Sequence, residues 1–332
     1  MQKGRKSQSE RTNSLRPNLP LGQPVVSVGL DDATLESLLV RHRQHVDQFF
    51  RPFVKWCYPD LLKTGNNQYA KMVELTTKMT TAGHACTLIA GYEFDHRREM
   101  ICHLFGGCCF MADSFIDDFD DERTREYLDR LERFLNDGWF EINNDREKLY
   151  YILASRMFRE RDVLTPMLRQ AIIWLFVAQK KDSLLRLSSK ALRDKPRQER
   201  LSVLREYARN RGGHTITLMA RLLVPELPIP YYQAIYDAGV LFQHIDDHGD
   251  AWSDLIHRRI TYMNQLRHPR IALKKIFENT IAGLSQRLPD CAGRDLMIAF
   301  LYRYYVTRLR KHRTVRTKVE MGTERSLWSA YE

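Results

Sequence analysis

The stretch GVLFQHIDDHGDAWSD, residues 239–254, carries an apolar run directly into a series of aspartates. Val240, Leu241, Phe242 and Ile245 have the composition of a core helix, whereas Asp246, Asp250 and Asp254 follow i, i+4, i+8 spacing and share one face, with Asp247 beside them. Like charges one turn apart repel and weaken a helix, so a run of this kind implies a cationic counterpart. The same form occurs earlier in the chain. MICHLFGGCCFMADSFI, residues 100–116, leads into Asp117, Asp118 and Asp121, with Asp113 one turn before Asp117. Taken alone, this first cluster reads more readily as a solvated helix end. The second reads less easily that way, because Asp246 and Asp247 continue a segment that should be buried.

Outward from these motifs the pattern is helical throughout. LESLLVRHRQHVDQFF, residues 35–50, repeats apolar residues at helical spacing behind the capping candidates Asp31 and Asp32. Further helices are expected at roughly 68–90, 97–118, 122–137, 145–159, 165–190, 197–223, 229–250, 270–288 and 292–315. Breaks fall at Pro166, Pro196, the segment from Pro225 to Pro230, Pro269 and Pro289. No alternating strand pattern, glycine-rich phosphate loop or internal repeat is present. The expected fold class is all-α, a single-domain helical bundle with a central cavity between facing helices. Residues 1–30 read as a flexible basic extension, 31–320 as the domain and 321–332 as a tail.

Composition limits the function. Apolar residues make up 43% of the 332, enough for a large core, and 16 glycines with 12 prolines suit long helices. The six cysteines lack zinc-type pairing and read as reduced thiols of a cytoplasmic protein. The N-terminus has no apolar signal region, and no run reaches transmembrane length. The net charge of +11 gathers partly in the N-terminal extension and partly at Arg303, Arg308, Arg310, Lys311, Arg313, Arg316 and Lys318. Those residues read either as a solvated face or as an anion-binding surface. A nucleic-acid-binding role for that last helix leaves the aspartates without a task, so no nucleic acid is expected. His244, Asp247, His248 and Asp250 also suggest an HD-type phosphohydrolase, but no matching His-Asp pair occurs elsewhere. A homodimer is compatible with the sequence.

Carboxylate oxygens suit a hard cation such as Mg2+, which commonly completes its octahedron with substrate phosphates. Two DDxxD patterns, Asp117-Asp118-x-x-Asp121 and Asp246-Asp247-x-x-Asp250, in one helical chain are specific. Over about residues 35–315 the sequence resembles the class I isoprenoid synthase superfamily, which includes trans-isoprenyl diphosphate synthases, squalene and phytoene synthases and class I terpene cyclases. The sharpest part is Gly239-x-x-Phe242-Gln243-x-x-Asp246-Asp247-x-x-Asp250-x-x-x-Asp254, similar to the second aspartate helix of the chain-elongating synthases. The resemblance implies that Asp117, Asp118, Asp121, Asp246, Asp247, Asp250 and Asp254 hold Mg2+ ions, about three, with Mn2+ as a substitute, on an isoprenoid diphosphate.

Within that superfamily, three cationic segments expected of an elongating synthase look altered. The Gly-Gly-Lys-Arg region reads TTAGHACTL (residues 80–88), the position of Arg-Arg-Gly reads Glu122-Arg123-Thr124-Arg125, and that of Lys-Thr reads His214-Thr215. Glu206-Tyr207-Ala208-Arg209-Asn210-Arg211 is similar to the cyclase segment supplying a diphosphate-sensing arginine, here Arg211. Arg303-Tyr304 resembles the cyclases' Arg-Tyr pair, and Phe49-Phe50-Arg51-Pro52-Phe53-x-x-Trp56 their aromatic N-terminal segment. The cyclases' Asn-Asp-x-x-Ser-x-x-x-Glu motif is absent. The expected activity is that of a class I terpene synthase (cyclase), with Arg211, Arg303 and Tyr304 serving the diphosphate. The alternative is an isoprenyl diphosphate synthase or a squalene/phytoene-type condensing enzyme. Phe105, Phe110, Phe115, Trp174, Phe176, Tyr236 and Phe242 are candidates to line the hydrocarbon pocket or simply to pack the core.

Overall fold

The computed structural model of the protein describes residues 30–118, 121–160, 165–187, 192, 194–224, 226–256 and 259–320; side chains at 114–118, 121, 160, 184–187 and 316–320 lie outside that description. Among the described residues there is no strand. The helices are α1 (Asp32–Cys57), α2 (Gln68–Ile89), α3 (His96–Asp118), α4 (Asp121–Asp137) and α5 (Asp145–Glu160), followed by α6 (Pro166–Leu187), α7 (Arg197–Leu223), α8 (Ile229–Ile256), α9 (Pro269–Arg287) and α10 (Ala292–Glu320). Short 3-10 turns at Pro59–Leu62 and Met263–Gln265 complete the connections.

Local chemistry sets the helix limits. Asp31 caps α1 by accepting from the Thr34 N–H and hydroxyl, each at 2.8 Å. The apolar spacing marked this helix through roughly Phe50, yet it continues past Pro52 to Cys57. Burial of Val54 and Cys57 in line with Leu35, Val46 and Phe50 offsets the hydrogen bond that the proline removes. Helix α8 likewise runs past the expected residue 250, since Trp252 packs on α10 and donates its indole N–H to His312 Nε2 at 3.3 Å.

Helices α7 and α8 pack most extensively, followed by α2 with α3. Two glycines permit the first contact: a Cβ on Gly212 would lie 2.4 Å from the Gly239 carbonyl oxygen, and one on Gly239 would lie 2.4 Å from that of Gly212. The backbones therefore touch at this crossing. Elsewhere a buried ion pair ties α4 to α5. Arg130 donates to both Glu147 oxygens at 2.6 and 2.8 Å, and Glu147, 1% exposed, also accepts the Asn143 N–H at 2.8 Å. A buried pair of this kind is tolerated only when its remaining lone pairs are satisfied.

Candidate active site

A cavity of about 200 Å³ opens among α2 to α8. Its depth is apolar, with Phe105, Cys108, Leu131, Tyr150, Met157 and Phe176 in the wall. Polar groups gather elsewhere on the lining: Asp113 on α3, Gln179 on α6, Arg211 on α7, and Gln243 and Asp246 on α8. An apolar chamber with a few convergent polar groups is the usual form of a small-molecule site.

Asp246 is engaged from α10. It accepts from the Tyr304 hydroxyl and from Arg308 Nη2, while Arg308 Nε donates to the Tyr304 oxygen at 2.9 Å. Burial opposes ionisation of Asp246, but Arg308, Lys78 and Arg211 outweigh it and hold the carboxyl below its ordinary range. Phe242 stacks on Tyr304 with centroids 4.4 Å apart, and the Lys78 ammonium lies 4.9 Å from the same ring's centre. Arg308 also reaches Asp250 at 3.4 Å, and Lys311 pairs with Asp250.

Asp247 differs. Its partner is the Gln243 amide at 2.8 Å, and burial, reinforced by the charge of Asp254, pushes its carboxyl up to about 8. Such a shift is expected of a carboxylate cluster short of positive charge. A divalent cation would reverse it. The donor set Asp246, Asp247 and Asp250 is all oxygen and thus fits a hard cation by chemistry. Among the described residues, however, no three such groups converge as a ready cage.

Opposite this helix, Arg211 bridges Asp113 at 2.7 Å and Asp182 at 3.1 Å, and Gln179 donates to the other Asp113 oxygen at 2.8 Å. The cavity therefore brings Asp113, an element of the first motif, and Asp246, an element of the second, around one arginine. Gly212, next to Arg211, is the residue whose lack of a side chain permits the α7/α8 approach.

The structure places the sequence-predicted residues unevenly. Arg211 and Asp246 line the cavity, and Tyr304 holds Asp246 from behind. Asp250 lies one turn along α8 in the Arg308–Lys311 pairing, and Asp254 extends that helix face toward its end. The side chains of Asp117, Asp118 and Asp121 lie outside the described residues. Arg303 is not brought to the cavity; it pairs with Glu36 on α1. Among the aromatics, Phe105, Phe176 and Phe242 line the cavity, while Phe110 is buried and Tyr236 packs on Gly213. Trp174 is 43% exposed beside His214, and the side chain of Phe115 lies outside the described residues. Sequence reasoning missed Lys78, and it placed Arg308 and Lys311 in a basic run without linking them to the aspartates. The available signal was the spacing of Tyr304, Arg308 and Lys311, which share one face of α10.

No protein-family model matches the chain, and no curated protein sequence matches it. Among solved structures, the chain is similar to a provisionally assigned farnesyl-diphosphate synthase from Marinomonas sp. MED121, at 14% identity and a TM-score of 0.52, covering 82% of this chain and 98% of that one. It is also similar to the geranylgeranyl pyrophosphate synthetase of the archaeon Geoglobus acetivorans, at 12% identity and a TM-score of 0.55, covering 83% and 99%. The fold is accordingly an all-helical bundle of the class I isoprenoid synthase type.

Proposed function

We propose that the protein is a condensing prenyltransferase of the isoprenyl diphosphate synthase type, joining an allylic isoprenoid diphosphate to isopentenyl diphosphate. The observation that carries this reading is the division of cations into two sets around the carboxylates, Arg211 paired with Asp113, and Arg308 and Lys311 paired with Asp246 and Asp250, with Lys78, itself paired with Glu74, over the Tyr304 ring near Asp246. An enzyme joining two diphosphates must neutralise both. Altered Gly-Gly-Lys-Arg, Arg-Arg-Gly and Lys-Thr segments argued against a second diphosphate, but Lys78, Arg308 and Lys311 supply fixed cations from other positions. The likeness of fold to two chains described as prenyl diphosphate synthases supports the same reading.

In this reading Asp246, Asp247 and Asp250 would hold Mg2+ together with the first motif's Asp117, Asp118 and Asp121. The metal supplies Lewis-acid neutralisation of the departing diphosphate. Arg211 and Arg308 then donate to phosphate oxygens, their forks being suited to bidentate contacts. Tyr304 keeps Arg308 oriented through its 2.9 Å contact. The wall formed by Phe105, Phe176, Met157 and Tyr150 receives the hydrocarbon and keeps water from the allylic cation.

A second reading, ionisation of one substrate by a terpene cyclase, is favoured by the surroundings of Gly83 and His84. A Cβ on Gly83 would lie 2.4 Å from Cys102 Sγ, and His84 stacks on Phe94 at 4.3 Å, so this part of α2 packs into the interior. Purified protein with Mg2+ and geranyl, farnesyl or geranylgeranyl diphosphate, each with and without isopentenyl diphosphate, separates the two. Condensation consumes isopentenyl diphosphate and yields a longer diphosphate. A neutral hydrocarbon or alcohol formed from one substrate would replace this proposal with the cyclase reading.

A further inference from the structure

A second cavity, about 340 Å³, lies between the start of α9 and the α8/α10 contact. His248, Arg267, His268, Arg270, His312 and Arg313 contribute to its wall. It sits on another side of α8 from the candidate active site, since His248 follows Asp246 by about 200° of helical rotation. On α10, His312 and Arg313 face it, whereas Arg308 and Lys311 face the aspartates.

Three features of this cavity suit an anion. The first is the N-terminus of α9, a helix of 19 residues whose cap residue His268 makes no side-chain cap hydrogen bond. Pro269 at N1 has no N–H to satisfy, which leaves the first-turn amides of Arg270 and Ile271 directed along the positive end of the helix dipole. The second is His248. It is 1% exposed, and neither ring nitrogen has a hydrogen-bond partner among the described residues. A buried polar group left in that state costs stability and calls for a ligand or water. His312 packs over it at 4.3 Å between ring centroids, with His312 Nδ1 2.9 Å from the His248 carbonyl oxygen. The third is the exposed Arg267 and Arg270 at the cavity edge, each with a fork suited to phosphate.

We propose that this cavity is a second anion site, which binds a phosphate-type group through Arg267, Arg270, the α9 amides and His248. The site does not depend on the reading of the active site, and it faces away from the aspartates. Free phosphate or diphosphate and a lipid phosphate headgroup share the recognising chemistry.

The test is titration of inorganic phosphate into full-length protein labelled at the histidine rings, in chelator and at constant ionic strength. The expected result is a saturable shift of ring resonances that are missing from His248→Phe. Affinity should fall at least about tenfold in Arg267→Glu/Arg270→Glu, since each arginine supplies charge-assisted hydrogen bonds. It should be unchanged in Arg308→Gln. Absence of saturable shifts would overturn the site, as would binding that survives the double charge reversal. Binding that vanishes in Arg308→Gln alone would place the anion among the aspartates and would also overturn it. Sedimentation with phosphatidate vesicles that is stronger than phosphate competition allows, and lost in the double variant, would assign the site to a lipid headgroup. Displacement of the protein from those vesicles by millimolar phosphate would assign it to the free anion.

Discussion

Replacing Gly239 by alanine places a Cβ 2.4 Å from the Gly212 carbonyl oxygen and 3.0 Å from Ile216 Cβ. Ordinary contact begins near 3.4 Å, so α7 and α8 must separate by about 1 Å. Overpacking of this kind costs roughly 1–3 kcal/mol. The helices carry Arg211 and Asp246, and a displacement of about 1 Å between catalytic groups can lower turnover about a hundredfold. Activity should therefore fall much further than the folded fraction does. Gly212→Ala should behave alike, because its Cβ would meet the Gly239 oxygen at the same distance. One separation relieves both clashes, so the double variant should cost less than the sum of the single variants by at least about 0.5 kcal/mol. Urea unfolding followed by circular dichroism measures the stabilities, and diphosphate turnover measures activity. Strict additivity would refute the shared crossing, and unchanged stability in both single variants would refute the close approach itself.

Arg308→Gln should abolish most turnover and raise the carboxyl of Asp246, while Arg308→Lys should recover little because the bidentate fork is lost; steady-state kinetics and carboxyl-selective NMR check both. Glu147→Gln should cost roughly 3–5 kcal/mol by stranding Arg130, measured in urea, and replacing both partners with apolar residues should recover much of it. Acid should destabilise the fold. Burial holds His42 and His103 at about 3 and His84, His244 and His248 at about 4, below the unfolded value of about 6.5. The unfolded chain takes up those protons first, so their contribution is complete above about pH 6.5 and is lost as pH falls toward 4 and 3. Asp247 has the opposite sign. Its native carboxyl keeps a proton up to about pH 8 that the unfolded chain releases near pH 4, so the metal-free protein should lose stability as pH rises between those values. Mg2+ or Asp247→Asn should flatten the part of that slope between pH 6.5 and 8, as read from urea midpoints.

Helix existence was legible because apolar periodicity, the Asp31 cap and the proline positions are local properties. The ends of α1 and α8 were not, since Val54, Cys57 and Trp252 extend those helices only through partners elsewhere in the bundle. The glycines show the same limit. Gly239 was visible as part of a motif, but its need for a bare backbone depends on Gly212, which is distant in sequence and adjacent in space. The basic residues of α10 depend most on their tertiary partners. Counted together they form one charge run, yet the structure divides four of them among three neighbours: Arg303 to Glu36 on α1, Arg308 and Lys311 to the aspartates of α8, and Arg313 to the cavity at α9. Helical phase separates these groups, for Arg303 is about 100° from Tyr304, whereas Arg308 and Lys311 return to the Tyr304 face. Phase alone does not say which face meets which helix. That is decided by burial of Leu301, Tyr304 and Tyr305 on α10 together with Ile245 and Ala251 on α8, and this packing makes Arg308, rather than Arg303, the arginine that reaches Asp246.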